Sequence, residues 1–238
     1  MKKLYFKYGT MGCSKSAQAL MTAFNYNQKG FEVLLLKPAL DTRDTIDGKI
    51  VIHTRIGLSR ECIAFSKNEN LYELANKYNA KVIIVDEAQF CTKEQIDQLK
   101  QLTCDDKVVL CYGLLKNFRG DLFEGSKRLV ELAESLMEIK SICKCGAKAT
   151  MNARIVGKRV TTTGDEVVIG GDESYESMCY SCWKKYQNED INWQKQFLIN
   201  KKLRANKLAN YICKNKTTKQ EILYGGFLYL QTQFLYCM

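Results

Sequence analysis

Proline and histidine are nearly missing from this chain of 238 residues, which holds one of each, Pro38 and His53. A lone histidine argues against a multi-histidine metal centre and against acid–base chemistry built on imidazole. His53 follows the β-branched run Ile50, Val51, Ile52 and reads as structural. A single proline, with 46% hydrophobic residues, argues for a packed globular protein rather than a disordered one. No apolar run approaches the roughly 18 residues that a membrane span needs. The N-terminus enters a strand pattern directly and shows no signal-peptide pattern, so the expected location is cytoplasmic. Disulfides are not expected either. Eleven cysteines are an odd count in a chain without secretory features, and they read as reduced thiols plus a metal site.

The formal net charge of +10 suggests a polyanion partner until its distribution is considered. Between Lys184 and Glu221 there are ten basic residues and three acidic ones, a net +7, so the rest of the chain is close to neutral. A basic C-terminal segment is most simply a solvated face or tail, and no nucleic acid is expected as a partner.

Strand and helix patterns alternate up to about residue 138. Leu4, Tyr5 and Phe6 start a strand. Ser16 to Lys29 reads as a helix, with Leu20 and Phe24 four residues apart and Gly30 beyond its end. Phe31 to Leu36 is a second strand ending at Lys37 and Pro38, and a polar run to Lys49 reads as a loop. Leu71, Leu74 and Tyr78 have helical spacing. Thr92 with Gln95 predicts a capping box, and Val108 to Cys111 a further strand. Such alternation implies an α/β fold with a mostly parallel sheet. From Ile142 the texture changes to paired cysteines, glycines and short β-like runs, which places a domain boundary there.

Two segments carry the chemistry. Gly9, Thr10, Met11, Gly12, Cys13, Ser14, Lys15 and Ser16 follow a strand and open a helix, the layout of a phosphate-binding loop. Ser14 stands where the usual pattern has a second glycine. Alone, the segment could be an ordinary strand–helix turn; in this context its amides would cradle phosphates, Lys15 would reach the β- and γ-phosphates, and the Ser16 hydroxyl would ligate magnesium. The second segment is the apolar run Val82 to Val85 followed by Asp86 and Glu87. Adjacent strand residues point to opposite faces, so one acid can serve a metal while the other takes a proton. Separately, Cys143 and Cys145, then Cys179 and Cys182, form two close pairs that suit a tetrahedral zinc site.

These motifs together resemble the thymidine kinases of the zinc-containing, usually tetrameric type. The resemblance rests on the Gly9 to Ser16 loop, Lys37-Pro38 with Asp41-Thr42-Arg43, and Arg55-Ile56-Gly57. It continues through Asp86-Glu87-Ala88-Gln89-Phe90, Tyr112-Gly113-Leu114, Phe118-Arg119-Gly120 and Phe123-Glu124-Gly125. It ends with the cysteine pairs around Ile169-Gly170-Gly171 and Tyr175, covering roughly residues 1 to 187.

The resemblance implies a RecA-like P-loop domain (1–141), a small zinc-binding lasso domain (142–187) and a basic extension (188–238) of unassigned role. It implies transfer of the ATP γ-phosphoryl group to the 5′-hydroxyl of thymidine, with magnesium as cofactor and structural zinc on Cys143, Cys145, Cys179 and Cys182. Glu87 resembles the catalytic base, and Asp86 with Ser16 the magnesium site. Ala88 and Gln89 extend the ATP site, with Asp41 and Arg43 near the phosphates. Met11, Phe90, Leu114, Phe118, Phe123, Ile169, Gly170, Gly171 and Tyr175 resemble the thymidine pocket. A homotetramer and feedback inhibition by thymidine triphosphate are also implied. Two other classes fit the residues: a regulatory nucleotide-binding protein whose altered loop no longer supports turnover, and a zinc-bearing P-loop protein that binds nucleic acid.

Overall fold

The structure, a computed structural model, describes residues 3–40, 45–46, 49–166 and 174–192. Met1–Ile191 form one compact unit; of the second, Asn192–Met238, only Asn192 is described. The basic and apolar C-terminal stretches, and the calls on Asp41, Arg43, Ile169, Gly170 and Gly171, lie outside the described residues.

The chain opens with β1 (Leu4–Tyr8), α1 (Lys15–Asn27) and β2 (Val33–Pro38). Three short antiparallel strands follow: β3 (Thr45–Ile46), β4 (Lys49–His53) and β5 (Ser59–Glu61). Next come β6 (Ile63–Phe65), α2 (Leu71–Lys77), β7 (Val82–Val85) and a 3₁₀ turn over Ala88–Phe90. They are followed by α3 (Lys93–Leu102), β8 (Val108–Gly113), α4 (Glu124–Leu132) and β9 (Ser135–Glu138). Six strands form one parallel sheet in the order β6-β2-β7-β8-β1-β9. β8 lies between the phosphate-loop strand β1 and the acidic strand β7, the arrangement of a RecA-like domain.

The sheet is covered on both faces, which is why its strands are continuously apolar rather than alternating. On one face Ala19, Leu20 and Ala23 of α1 pack on Leu35, Ile84, Leu110 and Tyr112. On the other, Leu71, Ile96, Leu99 and Leu129 of α2, α3 and α4 pack on Leu4, Phe6, Ile83, Val85 and Val109. Thr92 and Gln95 form the expected capping box. The Gln95 amide also donates to the carbonyls of Ser66 and Glu69 at 2.8 and 3.1 Å, tying α3 to the loop before α2.

Several local expectations needed correction. Phe24 does not join the core; it is 59% exposed, because the buried stripe of α1 runs through alanines. Phe31 precedes β2 and packs edge-on against Tyr26. Tyr78 is exposed just past α2, which starts at an Asn70 cap. The polar stretch before Lys49 contains β3, paired with β4. His53 is exposed at the end of β4.

After β9 the architecture becomes short and antiparallel. β10 (Ser141–Ile142) pairs with β11 (Lys148–Ala149), and β12 (Met151–Val156) lies between β13 (Arg159–Thr161) and β14 (Tyr175–Met178). The helix α5 (Tyr180–Asn188) follows, capped by Cys179.

Candidate active site

Parallel pairing brings the C-terminal ends of β1, β7 and β8 to one edge of the sheet, the edge where open α/β sheets bind ligands. The phosphate loop leaves β1 there. Ser14 adopts a left-handed conformation (φ 65°, ψ 29°) and caps α1 without a side-chain hydrogen bond. Its carbonyl accepts the Gln18 N–H at 3.0 Å. Lys15 is buried, and its ammonium donates to the Thr10 carbonyl at 2.9 Å, with the Cys13 sulfur at 3.7 Å. The lysine is thus folded back over its own loop. Gly12 (φ 72°) lies beside the Arg55 guanidinium, whose Nη1 is 3.8 Å from where a Cβ would stand.

Asp86 is 2% exposed, and its Oδ1 has no hydrogen-bond partner. Burial, then the charge of Glu87, pushes its carboxyl up to about 7, opposed by the Ser16 hydroxyl and the Lys15 charge. An orphaned buried carboxylate oxygen next to a hydroxyl is a donor set that fits a hard divalent cation.

Glu87 departs from the sequence expectation in one respect. β7 ends at Val85, so strand alternation does not separate the two acids. A left-handed residue does: Glu87 has φ 53° and ψ 37°. A non-glycine residue there costs of order 1–2 kcal/mol and persists where neighbours hold it. Gln89, 2% exposed, holds the Glu87 side chain: its amide donates to Oε2 at 2.5 Å while its oxygen accepts the Leu114 N–H at 2.9 Å. A Cβ at position 113 would stand 2.7 Å from that amide oxygen, so Gly113 allows the approach. Gly125 does the same beneath α4, where a Cβ would meet the carbonyls of Cys91 and Ala88 at 2.6 and 2.7 Å. Two glycines of the recognised motifs therefore serve the turn that carries Glu87.

The aromatic residues divide into two groups. Phe90 and Phe123 meet edge to face with centroids 5.8 Å apart. Phe118 is 2% exposed, with the Arg119 and Arg154 guanidinium groups over its ring at 5.1 and 5.2 Å. The Trp183 N–H donates to its carbonyl at 3.2 Å. Phe118 therefore supports the loop between β8 and α4 and presents no open face. Met11, Leu114 and Tyr175 are half-buried.

The sulfurs of Cys143, Cys145, Cys179 and Cys182 lie within 4.8 Å of one another, with Cys145 and Cys179 at 3.6 Å. Tetrahedral zinc–thiolate bonds of about 2.3 Å place sulfurs about 3.8 Å apart, so this donor set fits structural zinc. Elsewhere, burial pushes the Cys91 thiol up to about 12, and burial, with Cys91 beside it, also pushes the Cys111 thiol well up, both away from the reactive thiolate.

Sequence reasoning missed Ser141, Asn152, Ser177, Asn117 and Arg119. Asn117, buried, accepts the N–H groups of Arg119 and Asp121 and donates to Glu166 at 2.8 Å. The Arg119 guanidinium donates to the Gly164 carbonyl. No spacing rule marks such residues; Arg119 alone stood within a recognised motif.

A family model described as thymidine kinase matches residues 2–183. The chain belongs to the thymidine kinase family. A thymidine kinase of Legionella pneumophila is 40% identical over 212 residues, spanning 86% of this chain and all of the relative. One from Zymomonas mobilis is 43% identical over 186 residues, 75% of this chain and 94% of the relative. One from Rhodopirellula baltica is 42% identical over 186 residues, 75% of this chain and 86% of the relative. Among solved structures, the ATPase DotB of Legionella pneumophila matches 55% of this chain and 34% of its own at 15% identity, with a TM-score of 0.32. For this thymidine kinase family member, no described helix is long and apolar enough to cross a membrane.

Proposed function

We propose that the chain phosphorylates thymidine at its 5′-hydroxyl with ATP, giving thymidine monophosphate and ADP. The observation that carries this reading is Glu87, held by Gln89 beside buried Asp86 at the sheet edge from which the phosphate loop also springs. In the reaction, the thymidine 5′-oxygen bonds to the γ-phosphorus as the bond to the β–γ bridging oxygen breaks. The electron pair leaves with ADP, and the hydroxyl proton passes to the Glu87 carboxylate. Lys15 turns from the Thr10 carbonyl toward the β- and γ-phosphates, and the loop amides of residues 9–16 bind phosphate oxygens. Ser16 and Asp86 would hold magnesium, which when bound neutralises phosphate charge.

Met11, Phe90, Leu114, Phe123 and Tyr175 line the thymine pocket in this reading, with Phe118 behind them. Ile169, Gly170 and Gly171 at the base edge, and Asp41 and Arg43 near the phosphates, belong to it through the family. The four cysteines hold zinc that shapes the module of residues 142–187 beside the kinase domain of residues 1–141. We assign a cytoplasmic location, thymidine triphosphate as feedback inhibitor, and a homotetramer that covers Met21 and Phe24, which α1 leaves 57% and 59% exposed. The regulatory and nucleic-acid-binding alternatives are not favoured.

The test is ADP release from purified protein supplied with ATP, magnesium and each common nucleoside in turn. Thymidine-dependent release is expected. Release without nucleoside dependence, or none with thymidine, overturns the reading.

A further inference from the structure

The cysteine module reaches the phosphate loop through polar side chains from three of its strands. The Ser141 hydroxyl, on β10, bonds to the Thr10 hydroxyl. Asn152, on β12, accepts the Met11 N–H at 2.8 Å and donates to the Lys116 carbonyl at 2.9 Å. Ser177, on β14, donates to the Met11 carbonyl at 2.5 Å. Asn152 and Ser177 face each other across the β12–β14 pair, so one rung of that small sheet holds both backbone groups of Met11. Ser141 and Ser177 each stand two residues before a cysteine of the metal-fitting cluster, Cys143 and Cys179.

Asn152 is the junction of this arrangement. It is 4% exposed, so its amide exchanges no hydrogen bonds with bulk water, and both ends are satisfied by main chain. One partner lies in the phosphate loop, the other in the segment that joins Leu114 to Phe118. A buried amide bonded at both ends fixes the separation of the two segments it bridges, because losing either bond strands a buried polar group. In the proposed reading Met11 belongs to both sites, through its backbone in the phosphate loop and its side chain among the thymine-pocket residues. A ligand that orders either segment therefore orders the other through Asn152.

We propose that Asn152 is a positioning residue that couples the nucleoside pocket to the phosphate loop, so that thymidine and ATP tighten each other's binding. This rests on the assignment of residues 9–16 to ATP and of Met11 to both sites. Reciprocity follows from linkage: the factor by which thymidine tightens ATP equals the factor by which ATP tightens thymidine.

The test measures by calorimetry the affinity of a non-hydrolysable ATP analogue with magnesium, with and without saturating thymidine, on the full zinc-loaded chain. In the unaltered protein, thymidine is expected to tighten the analogue by about fivefold or more, the lower range of allosteric couplings. In Asn152→Leu, similar in size but without polar atoms, the factor is expected to fall to within about twofold of unity, below that range. Ser177→Ala, which removes a single hydroxyl, should lower the factor in the same direction by less, and it serves as the test if Asn152→Leu does not fold. No coupling in the unaltered protein, or full coupling in a folded variant, overturns the proposal. A general loss of stability would weaken both ligands without changing their ratio, and that result also counts against it. Lys15→Ala separates the two ideas. If it leaves analogue affinity unchanged, the site assignment fails and the proposal with it. If it weakens the analogue while coupling survives Asn152→Leu, the coupling proposal alone fails.

Discussion

In the parallel sheet, Val82, Ile83, Ile84 and Val85 are each 1% exposed or less, with helices against both faces. In the cysteine module, no described strand is buried throughout, and Ile142 and Val156 are 76% and 64% exposed. The first region is held by apolar area, at about 1.5–3 kcal/mol for each large side chain removed from water. The second buries a smaller set, Met151, Ala153, Val160, Met178 and Trp183 among them, and adds four converging thiols that fit a metal. The difference assigns the work. The sheet gives fixed anchor points for Lys15, Asp86 and Glu87, and the module supplies polar side chains that reach back to the phosphate loop.

The sharpest way to break this comparison is at the sheet edge. Glu87→Gln keeps the size of the side chain but cannot accept the hydroxyl proton. Turnover should fall roughly 10²–10⁴-fold, with ATP and thymidine affinity largely kept. Steady-state kinetics beside calorimetry checks this, and near-normal turnover would remove Glu87 from the base role.

Removing one side chain from the core tests what holds the sheet. Ile83→Ala should cost about 2–5 kcal/mol of unfolding free energy. Denaturant titration measures the loss, and metal analysis should show zinc content unchanged.

Cys182→Ser tests the module in the opposite sense. Metal analysis should show zinc falling from about one per chain, and thymidine binding should weaken while the parallel sheet keeps its thermal transition. Zinc absent from freshly purified, reduced protein would mean that the four sulfurs serve some other purpose.

The smallest effect is expected at Ser14, which occupies the left-handed region at φ 65°. Glycine adopts that conformation freely, so Ser14→Gly should relieve about 1–2 kcal/mol, up to roughly tenfold in ATP affinity if it appears entirely in binding. Ser14→Val should weaken ATP through branching at the same turn. Abolished turnover in Ser14→Gly would make Ser14 a specific contact rather than a tolerated one.

Much of this was legible from local pattern. Four apolar β-branched residues before two acids announced a buried strand ending at a rim. The capping box over Thr92 and Gln95 formed as its spacing required. The cysteine pairs, 34 positions apart, converge as tetrahedral zinc would demand. The failures are equally local in origin. Helical spacing put Phe24 beside Leu20, but the alanines of α1 already fill the groove against the sheet, so Phe24 faces outward. The two acids were separated by strand alternation in the sequence reading and by a left-handed turn in the structure.

The parallel α/β order, the phosphate loop, the acidic strand end and the four thiols are all encoded locally. Each of these follows from residues near one another in the chain, through periodicity, capping and metal-ligand spacing. How Glu87 is held, why Gly113 and Gly125 must lack a side chain, and which residues bridge the two regions depend on contacts between distant parts of the chain. The Asn152 amide meets Met11 across 141 positions of chain. No local propensity encodes such a contact; it exists because the sheet and the cysteine module meet in the folded chain along a buried polar seam.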